Sequence, residues 1–489
     1  MIVTRPSEIS VEEPDPADRT WTLVVGGRRP ATARTYATVS PTDQRTVANV
    51  PDADATDVDA AVRAAVAGYQ EWRRTSLRER ADVVRAMAAR VRRHSGELAI
   101  LDALDVGNPV SRTRASLLRA SEGMEFFADA AFALRGETYP VSANLHYSTR
   151  EPYGVVARIT AYNSPAFFAA LKIAPVLMAG NALVLKAPDP APLSALRLGE
   201  LLDDLVPPGV LNVVTGTGPV AGAALAEHPD VPRISFIGSE TTGRAVQSRA
   251  AQGGVKDVTL ELGGKNPMLV FPDADPAAVA AAAANLFTAA SGQSCGSPSR
   301  LLVHASLAAE IAERLAEHAR ELRLGDPLDP DTQMGPVVSR EHQRRILDLV
   351  AASEGTLLTG GCAPADPELA KGNFVAPTVL ADVPASSPAF TEEIFGPVLT
   401  VTSWESETEA LRLANDTRYG LTASVWTSNI NRAHRVAAAL EAGYIWVNGA
   451  GPHFWGVPFG GHKASGVGRE EAIDELISFT QTKSVTVLL

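Results

Sequence analysis

Cysteine is nearly absent from this chain: Cys295 and Cys362 are the only two in 489 residues. That excludes a disulfide framework and makes a reducing, cytoplasmic setting the expectation. Basic residues are also few, 44 Lys and Arg against 56 Asp and Glu, for a formal net charge of −12. Nucleic acid and anionic membrane surfaces are therefore poor partners. No apolar run reaches the roughly 18 residues that span a bilayer, and residues 1–20 are polar with five acidic side chains. Neither an anchor nor a targeting segment is predicted. The nine histidines show no HExxH or CxxC-type spacing, so no metal centre is predicted. Internal repeats are also lacking.

What is present is a long chain in which strand and helix signals alternate, the pattern of an α/β protein of two or three domains. Residues 55–91 carry apolar positions at helical spacing, giving two amphipathic helices interrupted near 72–76. Residues 146–162 read as strand, turn, strand, with the turn at Pro152, Tyr153 and Gly154. Further strands at 182–186, 211–214 and 233–237, each followed by a helical stretch, make a βαβαβ unit of the kind that holds a nucleotide at its strand ends. Strands at 258–262 and 267–271 and an Ala-rich helix at 274–290 open a second α/β lobe. Residues 483–489 form a β-branched strand with no neighbour in sequence, suited to completing a sheet elsewhere or in another subunit.

Chemistry concentrates at Cys295, set in Ser-Gly-Gln-Ser-Cys-Gly-Ser-Pro at 291–298, and at Glu261 in Leu-Glu-Leu-Gly-Gly-Lys-Asn-Pro at 260–267. A thiolate can attack an electrophilic carbon, and a carboxylate can then activate water to release the product. An inert buried thiol is the alternative, since free cysteine is among the most buried residue types. Small neighbours at Gly292, Ser294 and Gly296 favour an accessible sulfur. Two glycine-bearing turns follow strands. The one at 216–222 is a residue too long for GxGxxG. The one at 238–243, with Gly238, Ser239 and Gly243, could hold a phosphate at a helix N-terminus, or Ser239 could be an ordinary N-cap.

Together with Glu-Glu-Ile-Phe-Gly-Pro at 392–397 and Pro-Phe-Gly-Gly-His-Lys-Ala-Ser-Gly at 458–466, these segments resemble the NAD(P)-dependent aldehyde dehydrogenase superfamily over roughly residues 47–487. The resemblance implies a Rossmann-type cofactor domain (1–128 and 150–258), an α/β catalytic domain (259–470) and a small β oligomerisation flap (129–149 and 471–489) in a homodimer or homotetramer. It implies that Cys295 is the nucleophile toward an aldehyde, that Asn163 and the Cys295 amide hold the oxyanion, and that Glu261 is the base for thioester hydrolysis. A cofactor beside Cys295 would lower its pKa. Lys186 and Asp189 would hold the adenosine ribose, favouring NAD while leaving NADP open because Asp replaces the usual Glu. Gly238, Ser239 and Gly243 would line the phosphates, Glu393 the nicotinamide ribose, and Phe395 the nicotinamide.

The resemblance is imperfect in places. Ala161, Tyr162 and Ser164 replace residues usual around the oxyanion asparagine, and a carboxylate common near the C-terminal segment falls on Ile473, so that a proton relay must be absent or pass through Glu471 or Asp474. By position, Tyr162, Phe168, Leu171, Ser294, Gly296, His453, Trp455 and Phe459 face the aldehyde. That mainly aromatic wall implies aromatic or medium-chain apolar aldehydes rather than small dicarboxylic semialdehydes, for which Lys172 is the nearest cation. Acyl transfer to coenzyme A, ester hydrolysis by the same cysteine, and a non-catalytic binding role are the alternatives. Glu261 argues against the first, and the combination of Cys295, Glu261, Asn163 and Lys186 against the last.

Overall fold

A computed structural model describes residues 16–489, so most of the polar segment at 1–20 lies outside the described residues. The helix pair read at 55–91 forms as Ala55–Trp72 and Leu77–Arg93. Each begins at a reciprocal cap: Asp54 with Asp57, and Ser76 with Glu79. Each cap satisfies N–H groups that a helix start leaves orphaned, and the second fixes where the chain re-enters a helix after the break. Trp72 closes the first helix, is 1% exposed and donates its indole N–H to the Leu177 carbonyl at 3.0 Å.

Two sheets organise the rest. The first has six strands in the order Gly466–Val467, Asp257–Glu261, Arg233–Ile237, Val155–Ile159, Ala182–Lys186, Leu211–Val214. All neighbours are parallel except the short Gly466–Val467 edge. Four of these strands are wholly buried, as expected for β-branched and aliphatic runs covered by helices on both faces. From Val155–Ile159 the chain winds outward to Leu211–Val214, then returns to place Arg233–Ile237 on the other side. The switch in winding direction leaves a crevice beyond the carboxyl ends of these two central strands, where α/β sheets bind ligands.

The second sheet has seven strands, with Asn266–Val270 between Pro298–His304 and Thr422–Trp426. Asp257–Glu261 of the first sheet leads through four residues into Asn266–Val270 of the second. Glu261 therefore stands where the sheets meet, and Cys295 in the loop entering Pro298–His304. The C-terminal strand runs from Thr480 to Val487 and finds its partner within the chain, pairing antiparallel with Leu145–Pro152 along its length. Among the described residues, no helix is long and apolar enough to cross a membrane.

Candidate active site

The loop carrying Cys295 is held in an unusual backbone path. Ala290 (φ 49°) and Ser291 (φ 57°) are left-handed, and Gly292 (φ 75°) follows. A Cβ on Gly292 would sit 2.1 Å from the Gly396 backbone, so only glycine allows this approach. Non-glycine residues in this region cost about 1–3 kcal/mol each and persist where surrounding bonds impose them. Those bonds are visible: Ser291 Oγ donates to the Gly335 carbonyl (2.8 Å), Gln293 Oε1 accepts from Val338 N–H (3.0 Å), and Asn266 Nδ2 donates to the carbonyls of Cys295 (2.7 Å) and Ser297 (2.8 Å). The loop is a rigid mount for one thiol.

A cavity of about 820 Å³ runs from the crevice of the first sheet to that thiol. Lys186, Asp189, Gly238 and Ser239 line its far end; Asn163, Glu261, Cys295, Glu393 and Phe395 line the near end. Lys186 pairs closely with Asp189, whose second oxygen accepts from Gly218 N–H at 2.7 Å. Burial holds the Lys186 amine down at about 7. Ser239 is the N-cap of Glu240–Gly253 and accepts from Thr242 N–H, while Gly238 N–H is bonded to the Glu261 carbonyl. Gly243 does not line the cavity. A Cβ there would meet Leu262 Cδ2 at 2.7 Å, so this glycine serves close packing of helix on strand. Glu393 accepts from Gly264 N–H at 2.9 Å, and Phe395 meets Tyr162 edge-on at 5.9 Å.

Glu261 is 6% exposed, and neither carboxylate oxygen has a hydrogen-bond partner among the described residues. Burial, reinforced by the charge of Glu470 and opposed by Lys172, holds its carboxyl well above the ordinary range. An unpartnered carboxylate of raised basicity, facing the cavity that holds a thiol, is suited to taking a proton from water. The lowering of the Cys295 pKa expected from a cofactor beside it would have to overcome an opposite effect of the chain itself. Burial, then the charges of Glu393 and Glu261, push it up to about 12.

Lys172, the nearest cation to the aldehyde by sequence position, is taken up by the scaffold. Lys172 is 1% exposed and ion-paired to Glu470 (2.8 Å) and Glu475 (3.3 Å), so it does not serve a substrate. Arg158 joins the same cluster through both carboxylates. The carboxylate sought near Ile473 is thus supplied by Glu470 and Glu475. Glu471 instead accepts from His453 Nδ1 at 3.1 Å, and Asp474 is exposed.

A smaller cavity of about 440 Å³ lies across Asn163, the one residue that lines both. Ser294 lines it, with Phe167 rather than Phe168. Phe168 packs edge-on against Phe167 at 5.6 Å, and Leu171 is fully buried in the helical core. Asn163 Nδ2 donates to the Gln293 carbonyl at 2.8 Å, leaving its second N–H for another acceptor. On the remaining side His453 stacks on Phe459 at 4.3 Å, and Cys295 packs against the cluster of Leu421, Tyr444 and Phe459. Gly296 leaves open space, a Cβ there meeting only Thr422 at 3.7 Å. Trp455 lies under the Arg119 guanidinium at 4.9 Å. Phe167, Tyr444 and Glu470 are the contributors that sequence reading missed. Phe167 was one residue from the position chosen, and only the helix register over Pro165–Met178 separates the two.

The aldehyde dehydrogenase family model matches residues 28–485. This chain belongs to the aldehyde dehydrogenase family. It is an oxidoreductase with that family's α/β architecture, and its relatives are close. The aldehyde dehydrogenase tropH of Talaromyces stipitatus is 42% identical over 472 residues, covering 94% of this chain and 91% of that one. The NAD+ complex of an aldehyde dehydrogenase from Bacillus cereus superposes with a TM-score of 0.94 at 35% identity, covering 96% of this chain and 97% of that one. PnpE from Pseudomonas sp. WBC-3, in complex with nicotinamide adenine dinucleotide, superposes with a TM-score of 0.93 at 39% identity over the same shares.

Proposed function

We propose that this aldehyde dehydrogenase oxidises an aromatic or medium-chain apolar aldehyde to the carboxylic acid, using NAD and a covalent intermediate on Cys295. One observation carries the reading: a thiol and a buried, unpartnered carboxylate face one end of a cavity whose other end is lined by Lys186 and Asp189. The residues at that far end fit a dinucleotide. Asp189 offers a carboxylate to ribose hydroxyls and would repel a 2′-phosphate, and Thr241 and Thr242 of the first helical turn line the cleft beside Ser239, where phosphate is favoured. Similar chains from Bacillus cereus and Pseudomonas bind NAD. Bound there, NAD supplies the hydride acceptor.

The chain's own residues do the rest. Cys295 Sγ bonds to the aldehyde carbon as the thiolate, the form that the positive charge of a bound cofactor would favour, and the oxygen takes up negative charge between the free N–H of Asn163 and the Cys295 amide. Transfer of hydride from that carbon to the dinucleotide would leave a thioester on Cys295. Glu261 takes a proton from water, the water oxygen attacks the thioester carbon, and the carbon–sulfur bond breaks to give acid and thiolate. Lys172 and Arg469 lie within electrostatic reach of Glu261 and favour its return to the deprotonated form, against the opposing charges of Glu470 and Glu475. Glu261 also supports hydrolysis over transfer to coenzyme A, which needs no base for water. A homodimer or homotetramer in the cytoplasm is part of this reading, supported by the two-stranded ribbon and the exposed Leu488 and Leu489 beyond it.

The test is NADH formation with benzaldehyde, hexanal and succinic semialdehyde, run beside Cys295→Ala. Activity with NAD that falls by about 10⁴-fold or more in the variant is expected. A folded protein that oxidises none of them, or a variant that keeps its activity, overturns the reading.

A further inference from the structure

The 440 Å³ cavity across Asn163 holds a feature that an apolar aldehyde does not explain. Arg112, in the first turn of the Val110–Ala130 helix, lines it. Among the described residues its guanidinium has no hydrogen bond, ion pair or ring contact, although it is only partly exposed. The other arginine on this face, Arg119, is occupied: it donates to the His453 carbonyl and covers Trp455. Drawing a charge partly out of water without a partner is costly, and an arginine so placed is commonly matched by a carboxylate in the protein. Here burial pulls the Arg112 pKa down and no protein charge offsets it.

The surroundings define what would complete it. Ser116 lies one turn further along the same helix and also lines the cavity, adding a hydroxyl. Phe167 supplies an apolar wall, and Asn163 and Ser294 bound the end next to Cys295. Asp102 is the one acid that lines this cavity. Burial lifts it to about 7, and it accepts from the Ala166 N–H at 3.2 Å, so it is tied to the scaffold instead of to Arg112.

We propose that Arg112 binds a carboxylate carried by the substrate, so that the preferred aldehydes have a flat unsaturated or aromatic body with an acid group at the end away from the reacting carbon. The aldehyde oxygen rests at Asn163, the body lies along Phe167, and the two carboxylate oxygens accept from the planar guanidinium fork. This rests on the proposed function for its chemistry and replaces an apolar end group with an anionic one. It also restores the cation that Lys172 cannot provide.

The experiment compares 4-carboxybenzaldehyde with benzaldehyde on the wild-type enzyme, Arg112→Leu and Arg112→Lys, with NAD saturating and folding checked by thermal melting. Wild-type enzyme is expected to favour the acid. The ratio of kcat/KM values should fall about 10- to 100-fold in Arg112→Leu, through KM, with partial recovery in Arg112→Lys. Calorimetric titration with terephthalate gives a second readout that needs no turnover: binding to wild type and its loss in Arg112→Leu are expected. If aldehydes are oxidised but the ratio does not change in Arg112→Leu, or terephthalate binds both proteins alike, the inference is overturned while the proposed function stands. If no aldehyde is oxidised yet terephthalate binding depends on Arg112, the proposed function fails and the anion site remains.

Discussion

The two cavities that meet at Asn163 are built in different ways. Much of the cofactor-side cavity is assembled from strand ends and the turns that follow them, Ile159 to Asn163, Lys186 with Pro188 to Pro190, Ile237 to Ser239 and Glu261 to Gly263, with one face of the Glu240–Gly253 helix alongside. Each strand-end group is local in sequence, and its position follows from a strand that must be buried in the sheet. The smaller cavity draws on a helix end near 108–116, the start of the Pro165–Met178 helix and the left-handed turn at 289–294. None of these pieces contains a repeating signature, and which side chain faces inward depends on helix rotation. On the proposed function the first kind of region carries the chemistry common to any aldehyde, and the second carries substrate choice.

Asn163 belongs to both cavities, and changing it should have the largest effect. Asn163→Ala is expected to lower kcat by about 10²–10³-fold with any aldehyde, because one oxyanion donor is lost. Steady-state rates with benzaldehyde and hexanal check this, and a loss confined to one substrate would place the residue on the specificity side alone.

The pH behaviour of Cys295 probes the cofactor side. With the thiol pushed up to about 12 by burial and by Glu393 and Glu261, little thiolate exists near neutral pH in the cofactor-free enzyme. Iodoacetamide inactivation should therefore quicken by about tenfold per pH unit between 7 and 9. Saturating NAD should shift that curve to lower pH, because positive charge favours the thiolate. A flat profile without cofactor would mean that the carboxylates do not control the thiol.

A smaller effect separates two neighbours on the substrate side. Phe167→Ala should raise KM for benzaldehyde by about tenfold, the worth of one aromatic contact. Phe168→Ala should leave KM alone and lower the melting temperature. The reverse would place Phe168 instead of Phe167 against the aldehyde.

These contrasts match what could be read in the chain beforehand. The strands at 182–186, 211–214 and 233–237 form at those residues, because buried parallel strands are short β-rich runs bounded by turns. Cys295 and Glu261 stand out in the sequence as motifs, and the structure brings both to one cavity. The terminal strand was recognised without its partner, since pairing with Leu145–Pro152 is a contact more than 300 residues away in sequence. Arg112 went unnoticed because an arginine on an amphipathic helix ordinarily faces water. Only the fold shows that this one faces a cavity and lacks a carboxylate.

The central claim is that a thioester forms on Cys295 and that Glu261 activates the water that resolves it. The most direct measurement is intact-protein mass spectrometry of Glu261→Gln after mixing with benzaldehyde and NAD, followed by peptide mapping. A benzoyl adduct on the peptide containing Cys295, with a first burst of NADH and little turnover afterwards, is the predicted result. Full turnover with no adduct would contradict the account, because hydrolysis would then proceed without the carboxylate assigned to it.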